Sequence, residues 1–289
     1  MSTSTGASVI IDKEGNKKVV KMSEHQYIGS GEKDEVELNR LRLMERILDP
    51  TTIRHLEMIG VAKGWKCLEV GAGAGSVAQW LSMRVGPVGK IMATDIDIRF
   101  LRQLSTPNLE IRQHDIVKDN LETGQYDLVH CRTVLMQLAE PEKAMNRMAD
   151  AVRPGGWLIL EETDYGSIVS TDITNPSAVL FTTILRTVAD FLRKKRIVDP
   201  YFGRQVRELI EQHGFIDVIQ EGWTCMCRGG EPMARFDAAT IQMAAKPLIG
   251  AGLLSQEQHD SVQRLFLDQT FNYPGLTMFS AWGRRPVKS

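Results

Sequence analysis

The sequence is poor in cysteine, contains no long hydrophobic run and has no excess of either charge. Its four cysteines, Cys67, Cys131, Cys225 and Cys227, form no C-x-x-C pair, and a chain of 289 residues needs no disulfide framework. No apolar run approaches the roughly 18 residues that would span a bilayer. With 35 Lys and Arg against 36 Asp and Glu, bulk charge favours neither nucleic acid nor anionic lipid as a partner.

Metal ligands and targeting signals are also sparse. Cys225 and Cys227 would share one face of a strand, but no third ligand lies nearby in the sequence, and the six histidines are scattered. We therefore expect no metal site. The segment Met1–Ser8 is small and polar and does not have the basic and then apolar pattern of a signal peptide, so the expected location is the cytoplasm.

Short apolar segments alternate with helical segments through the middle of the chain. The first, Lys66–Val70, is followed by the glycine turn Gly71-Ala-Gly-Ala-Gly75 and by a helical stretch, Ser76–Arg84. The remaining predicted elements of this part are strands at Lys90–Thr94, Leu109–Gln113, Tyr126–His130 and Trp157–Glu161, helices at Ile98–Leu104 and Thr133–Val152, and a turn at Arg153–Gly156. This alternation predicts an α/β, Rossmann-like, doubly wound fold with a mainly parallel sheet.

Both ends of the chain depart from this rhythm. The first 33 residues are predicted to be a polar extension, followed by a helix over Asp34–Asp49 that stops before Pro50 and a second helix at about Thr52–Val61. Beyond Glu162, we expect helices at Ala178–Arg196 and Arg204–His213 and an antiparallel terminal strand pair at Phe215–Trp223 and Leu276–Trp282. The predicted organisation is an extension with a lid helix, residues 1–50, and one domain, residues 51–289, with helical cap insertions at about 166–198 and 229–275.

Glycines and acidic residues follow the predicted strands. Glu69 and the glycine turn end the first strand, Asp95 ends the second, Asp115 follows the third and His130 ends the fourth. In an open α/β sheet, ligands bind at the carboxyl ends of the strands. Glycines let a ligand approach the backbone closely, and an acid about 20 residues beyond such a turn is placed to bind ribose hydroxyls. The pattern predicts a nucleoside ligand.

Several nucleotide-binding motifs are absent. The dinucleotide pattern G-x-G-x-x-G fails at its sixth position, which is Ser76. Glu69 would repel a pyrophosphate and would suit a cationic amino-acid moiety better. No Tyr-x-x-x-Lys dyad and no G-x-x-x-x-G-K-[ST] phosphate loop occurs in the sequence. The nucleoside ligand is therefore not predicted to be a dinucleotide or a nucleoside triphosphate.

Five segments resemble the successive motifs of class I S-adenosylmethionine-dependent methyltransferases: Glu69-Val-Gly-Ala-Gly-Ala-Gly75, Asp95, His114-Asp115, Tyr126-Asp-Leu-Val-His-Cys-Arg132 and Val152-Arg-Pro-Gly-Gly156. The resemblance covers about residues 64–165 closely and extends loosely to Trp282-Gly-Arg284. Within the family, the sequence is most similar to the small-molecule enzymes of quinone and natural-product pathways. The resemblance implies S-adenosyl-L-methionine as cofactor and in-line displacement at its sulfonium methyl group.

The resemblance also implies roles for individual residues at the first two strand ends. Gly71, Ala72 and Gly73 would line the methionine moiety of the cofactor, with Glu69 oriented toward its ammonium group. Asp95 would hold the ribose hydroxyls.

The implied adenine site lies at the next strand ends. Ile96 would pack beneath the ring, Asp115 would accept a hydrogen bond from the adenine amino group, and Ile116 would donate its backbone amide. Tyr27 and Arg40 lie in the N-terminal segment that folds over the cofactor in similar enzymes, and they are included as cofactor-binding residues.

The reactive methyl group would be bordered by residues that follow the fourth and fifth strands. His130 and Arg132 are expected beside the methyl group or the cofactor carboxylate. If the nucleophile keeps its proton, His130 is the candidate general base, because its reference pKa of about 6.5 is close to working pH; the alternative is a histidine that merely packs beside the cofactor. Asp164 and Tyr165 are further candidates to orient a substrate.

The predicted acceptor is a small aromatic or lipophilic molecule. The two insertions carry six aromatic side chains and two methionines, enough apolar surface to enclose it: Phe181, Phe191, Phe236, Phe266, Phe271, Tyr273, Met233 and Met243. We expect a monomer or a homodimer. Two alternatives stay open: a nucleic-acid methyltransferase, although Asp199-Pro-Tyr-Phe202 only superficially resembles the amino-methyltransferase tetrapeptide, and a non-catalytic cofactor-binding protein.

Overall fold

A computed structural model of the chain describes residues 7–11, 17–21, 34–169, 172 and 174–287. The strands are β1 (Ala7–Ile11), β2 (Lys17–Lys21), β3 (Lys66–Val70), β4 (Lys90–Asp95), β5 (Leu109–Gln113), β6 (Tyr126–Arg132), β7 (Val152–Asp164), β8 (Ile216–Arg228) and β9 (Asn272–Arg284). The α-helices are α1 (Asp34–Met58), α2 (Ser76–Val85), α3 (Pro141–Ala151), α4 (Pro176–Lys194), α5 (Val206–Gln212), α6 (Pro232–Gly250) and α7 (Gln256–Leu265).

The main sheet has seven strands in the order β5-β4-β3-β6-β7-β9-β8. The first five pair in parallel, and β9 pairs antiparallel with both β7 and β8. The predicted fold class and the antiparallel terminal pair are therefore confirmed. The strand order reverses between β3 and β6, which is where an open α/β sheet forms its binding crevice.

Helices cover both faces of this sheet because alternate strand residues are buried on opposite sides. One face buries Leu68, Val129 and Leu160 in a cluster with α3, α4 and α5. The other buries residues such as Cys67 and Leu128 against α2 and the end of α1. The inner parallel strands β3 and β6 are thus buried on both sides, as expected for a doubly wound sheet, whereas the edge strand β5 has no buried residue.

The predicted break at Pro50 is wrong. A single helix, α1, runs from Asp34 to Met58 with Pro50 inside it. A proline in a helix removes one backbone hydrogen bond, but Leu41, Leu48 and Leu56 lie buried along α1, and this packing holds the helix together across the proline. The helix also crosses the proposed boundary between residues 50 and 51, and the division into domains stays a prediction.

Other predicted boundaries change where hydrogen bonding between strands overrides local signals. The predicted turn at Arg153–Gly156 is an irregularity inside β7. Val152 pairs with Tyr126 and the next pair joins Trp157 to Leu128, so the four residues between them bulge out of the strand pairing. The helix expected at Ile98–Leu104 is a single turn at Leu101–Gln103. A single turn at Leu135–Gln137 and the helix α3 replace the one helix predicted over Thr133–Val152. Helix α5 is shorter than predicted, and strands β8 and β9 are longer. The N-terminal extension contains the antiparallel pair β1–β2, which was not predicted.

Candidate active site

One cavity of about 220 Å³ opens at the carboxyl ends of β3, β4 and β6. Eight of the twelve predicted cofactor-binding residues line it: Arg40, Gly71, Gly73, Asp95, Ile96, Asp115, Ile116 and Arg132. Glu69, Ala72 and His130 are not among the lining residues, and Tyr27 lies outside the described residues. The opposite wall comes from α1, α4 and α6, so the cavity lies between the strand ends and helices of both predicted insertions.

The glycine turn after β3 needs glycine for conformation and for space. Gly71, Gly73 and Gly75 have φ of 72°, 58° and 92°, in the left-handed region that favours glycine. A Cβ atom on Gly71 would lie 2.2 Å from Cγ2 of Val134. The amides of Gly71 and Ala72 donate to the carbonyl oxygen of Thr94 at 2.8 and 3.0 Å, which ties the turn to β4. Bare backbone therefore faces the cavity, as a closely bound ligand requires.

Asp95 ends β4 and holds the second part of this wall. Its Oδ2 accepts the Gly73 amide at 2.8 Å and its Oδ1 accepts the Asp97 amide at 2.9 Å. Burial raises the pKa of the Asp95 carboxyl to about 6, although both backbone hydrogen bonds oppose the shift. The next residue, Ile96, leaves 43% of its surface exposed at the cavity, where an apolar platform suits a planar ring.

The loop after β5 is closed by its own acidic side chains. Asp115 Oδ1 accepts the Val117 amide at 2.9 Å, and Lys118 pairs with its Oδ2 at 3.0 Å. Ile116 is buried and lines the cavity. The neighbouring His114 has a buried Nδ1 without a hydrogen-bond partner among the described residues, so this end of the cavity offers polar atoms to a ligand.

A buried chain of two carboxylates and two imidazoles lies beneath the cavity. His130 Nδ1 is 2.7 Å from Glu69 Oε2, and His130 Nε2 is 3.4 Å from Glu161 Oε2. The other oxygen of Glu161 is 2.9 Å from Nδ1 of His55. All four side chains are at most 4% exposed.

The ionisation of this chain argues against the predicted base. Burial lowers the pKa of His130, but the charges and hydrogen bonds of Glu69 and Glu161 outweigh it and raise that pKa to about 9. Burial would raise the pKa of Glu161, yet its hydrogen bonds with His130 and His55 hold it well below its usual value. A protonated imidazole held between two carboxylates has no lone pair to accept a proton. The geometry therefore places His130 beside Glu69 as a structural cation and does not support general-base catalysis.

Arg132 links β6 to α1. Its Nη1 donates to Thr52 Oγ1 and its Nη2 donates to Asp49 Oδ1, each at 2.9 Å. Thr52 in turn donates to Glu161, which joins this contact to the buried chain. The guanidinium that was predicted to border the methyl group thus also fixes α1 over the strand ends.

The loop after β6 is fixed by a second buried carboxylate, Glu162. Its oxygens accept the amides of Val134, Leu135 and Met136 at 3.0, 2.7 and 3.4 Å. Burial raises the pKa of Glu162 to about 8, against the effect of these three amides. Because Val134 packs against Gly71, Glu162 shapes the cavity without lining it.

The helical wall is mostly apolar. Arg40 forms a bidentate ion pair with Glu37, in which Nε donates to Oε2 at 2.9 Å and Nη2 donates to Oε1 at 2.8 Å. The Cζ atom of Arg40 lies 5.6 Å from the ring centre of Phe236. Of the eight predicted pocket side chains in the insertions, Met233 and Phe236 line the cavity. Four others, Phe181, Phe266, Phe271 and Tyr273, pack against one another with ring centres 4.8–6.0 Å apart, so they stabilise the insertions and not a ligand.

Sequence reasoning missed several functional neighbours. Glu161 lies near the carboxyl end of β7, at the same edge of the sheet as Glu69, and it ends the strand predicted at Trp157–Glu161, so the strand-end argument could have found it. Three further residues, His55, Glu37 and Asp237, lie on helices that are distant in sequence from the strand ends. No local sequence pattern marks them as residues of the site.

The described residues offer neither a membrane-spanning helix nor a metal-binding cluster. No helix in the described part of the chain is long and apolar enough to cross a bilayer. Within the same residues, no group of three His, Cys, Asp or Glu side chains could hold a metal ion, and the Sγ atoms of Cys225 and Cys227 lie 3.3 Å apart without such a third ligand.

Comparison with known proteins agrees with this geometry. Residues 68–160 match the model of the methyltransferase domain family. Methyltransferase Str2 of Strobilurus tenacellus is 24% identical over 220 residues, which are 75% of this chain and 78% of that protein. The ubiquinone/menaquinone biosynthesis C-methyltransferase UbiE of Pseudomonas putida is 28% identical over 115 residues, 37% of this chain, and the match spans 45% of that relative.

A solved structure shows the same fold. Phosphoethanolamine N-methyltransferase 2 of Haemonchus contortus superposes with a TM-score of 0.56 at 15% identity, covering 93% of this chain and 62% of the other. Together with the glycine turn and the strand-end acids, these matches identify residues 68–160 as a methyltransferase domain on a fold shared with S-adenosylmethionine-dependent methyltransferases.

Proposed function

We propose that this protein transfers the methyl group of S-adenosylmethionine to a small, largely apolar acceptor. The observation that carries the proposal is that the cavity at the strand ends has two unlike walls. Bare glycine backbone and strand-end acids form one wall, and apolar side chains of three helices, such as Leu41, Leu192 and Phe236, form the other.

The residues present fit the cofactor. Glycines at positions 71 and 73 leave room for the methionine moiety. Asp95 follows the glycine turn by about 20 residues, the spacing at which an acid binds ribose hydroxyls. Ile96 and Ile116 offer apolar surface for adenine. Bound there, S-adenosylmethionine supplies a methyl group already activated by its sulfonium. The individual contacts of these residues with the cofactor are part of the proposal.

The protein's own contribution is orientation and exclusion of water. Holding two reactants in line can contribute about 7–11 kcal/mol to lowering the barrier. Leu41 and Met44 of α1 face the strand ends from the helical wall, and Arg132 holds that helix in place through Asp49 and Thr52. If the nucleophile carries a proton, methyl transfer releases it, and His130 is not placed to accept it because it does not line the cavity and is paired with two carboxylates.

The small-molecule acceptor is supported by the apolar helical wall and by the printed name of the UbiE relatives, which are quinone-biosynthesis enzymes. A deep cavity enclosed by helices suits a metabolite better than a base within a nucleic acid. We extend the proposal to the predicted cap: residues 166–198 and 229–275, with α1, build the acceptor side of the site.

Calorimetry with S-adenosylhomocysteine and with NAD tests the proposal. We expect micromolar affinity for S-adenosylhomocysteine and no binding of NAD. Binding of NAD with indifference to S-adenosylhomocysteine would overturn it. Cofactor binding without methyl transfer to any member of a broad panel of hydroxyl, amine and activated-carbon acceptors would favour a non-catalytic binding protein.

A further inference from the structure

The helical wall contains one carboxyl group that the cofactor scheme does not use. Asp237, on α6, is 3% exposed and lines the cavity. Its Oδ2 accepts a hydrogen bond of 2.7 Å from the hydroxyl of Tyr273. Among the described residues, no further hydrogen bond and no ion pair engages Asp237. An uncompensated buried carboxyl group is costly to keep in an apolar wall.

A phenol faces the same space. Tyr165 directly follows β7 and lines the cavity, and its backbone amide donates to the carbonyl of Pro200 at 2.9 Å. Tyr165 and Asp237 both line this cavity, and burial together with the negative charge of Asp237 raises the pKa of the Tyr165 hydroxyl. The described residues provide no hydrogen-bond partner for that hydroxyl.

A third polar atom points to the same requirement. The side-chain amide of Gln137 donates to the Thr133 carbonyl at 2.6 Å, while its Oε1 is buried at the cavity without a partner in the described part of the chain. Two unpartnered acceptor oxygens, on Asp237 and Gln137, and one phenol in an otherwise apolar cavity call for a ligand that brings a hydrogen-bond donor.

The charge of the site selects among donors. Asp237 would attract an ammonium acceptor, but the cofactor sulfonium would repel it, and an ammonium has no lone pair to accept from the Tyr165 hydroxyl. A carboxylate acceptor would be repelled by Asp237. A neutral hydroxyl can donate to Asp237 Oδ1 and accept from the Tyr165 hydroxyl, which satisfies both groups.

We propose that Asp237 and Tyr165 form the recognition pair of the acceptor site and that the acceptor is a neutral, mainly apolar molecule bearing a hydroxyl group. The proposal rests on the proposed function, since it assigns the ligand of the same cavity. Tyr273 is a positioning residue that orients the Asp237 carboxyl from behind.

Equilibrium dialysis of the full chain, saturated with S-adenosylhomocysteine, tests this with three matched probes: naphthol, naphthalene and naphthoic acid. Burial raises the pKa of Asp237 to about 7, so the dialysis is run at pH 8, where most of this carboxyl is charged. Hydrogen bonds to a charged group then predict that wild-type protein binds naphthol about ten- to a hundredfold more tightly than naphthalene, and naphthoic acid more weakly than naphthol. Asp237→Leu should abolish the preference for naphthol, and Tyr165→Phe should reduce it several-fold.

Matched variants control for structure. Thr240→Val removes a lining hydroxyl that already donates to the Phe236 carbonyl at 3.0 Å, so the naphthol preference should stay unchanged. Asp237→Asn keeps an oxygen for Tyr273 and should fold even if Asp237→Leu does not, with a smaller preference than wild type. The affinity for S-adenosylhomocysteine should be the same in all variants.

Two failures are distinguishable. If wild-type protein does not bind S-adenosylhomocysteine, the proposed function fails. If it binds S-adenosylhomocysteine but binds naphthol no more tightly than naphthalene, or if Asp237→Leu and Asp237→Asn keep the full preference, the recognition pair is overturned while the cofactor site stands.

Discussion

Asp95 joins the glycine turn to the predicted ribose site. Because its carboxylate already orders the amides of Gly73 and Asp97, its loss should remove both a ligand contact and part of the loop. We expect Asp95→Ala to weaken S-adenosylhomocysteine binding about ten- to a hundredfold. Calorimetry at pH 8 measures this directly, with the exposed Glu110→Gln on β5 as a control that should bind like wild type.

The pH dependence of binding gives Asp95 a second test. The raised pKa of about 6 means that the carboxyl is protonated below that pH and cannot then accept two hydrogen bonds from ribose. Affinity for S-adenosylhomocysteine should therefore fall as the pH drops through about 6. Asp95→Asn should lose this dependence, and an equally steep curve in the variant would show that another group controls it.

His130 should make stability depend on alkaline pH. Its pKa of about 9 in the folded protein lies above the unfolded value of about 6.5. A raised histidine pKa contributes stability that is fully present below pH 6.5 and is lost as the pH rises through 9. Urea unfolding of wild-type protein between pH 7 and 10 should show a loss on the order of 2–3 kcal/mol.

The variants separate this effect from general alkaline unfolding. His130→Gln should be less stable than wild type at pH 7 and should show a flatter profile above it. His213→Gln, at a site where the ring is bonded to the Leu209 carbonyl and to Asn146, should keep the wild-type profile. Parallel profiles for wild type and His130→Gln would contradict a charged His130.

At the scale of elements, the strand ends and the helices α1 and α6 face each other across the cavity. A ligand held at the strand ends should restrict these helices, because Leu41 of α1 lies 3.6 Å from a Cβ position built on Gly73. We expect amide exchange in α1 and α6 to slow by roughly tenfold on binding S-adenosylhomocysteine, equal to about 1.4 kcal/mol of local stability. Hydrogen-exchange mass spectrometry resolves the two helices from the sheet.

Helix α5 serves as the internal control, since no residue of α5 lines the cavity. Its exchange should stay unchanged. Equal slowing in α5, or no slowing in α1 and α6, would contradict the assignment of these helices as the cap over the cofactor.

For the molecule as a whole, charge separates a metabolite enzyme from a nucleic-acid enzyme. The net charge of −1 provides no cationic surface for phosphates. Pro200, in the tetrapeptide expected to lie elsewhere in the fold, does line the cavity, but the Asp199 carboxylate accepts the Tyr201 amide at 3.1 Å and faces Arg193 at 3.8 Å. The Asp199 carboxylate is therefore not directed at a nucleobase in the cavity.

A mobility-shift assay with transfer RNA and duplex DNA at physiological salt should show no complex. The basic run Arg193–Arg196 is a segment that could bind phosphates, so a variant carrying Lys194→Gln and Lys195→Gln is the matched control. A salt-sensitive complex that this variant loses would restore the nucleic-acid alternative.

Local sequence patterns determined the order of strands, turns and helices and the edge of the sheet that binds ligand. Apolar periodicity and glycine chemistry act over a few residues, so they could be read without the fold. The same patterns were enough to place Gly71, Asp95 and Asp115 at strand ends, and the structure brings all three to one cavity.

The tertiary structure alone decided what depends on contacts between distant segments. Burial of Leu48 and Leu56 carried α1 through Pro50, which local propensity predicts to be a break. Glu161 meets His55 across 106 positions, and Glu161 is one of the two carboxylates that raise the pKa of His130 and favour a structural cation over a general base there. The environment of an ionisable side chain is set by its neighbours in space, and no pattern along the chain encodes those neighbours directly.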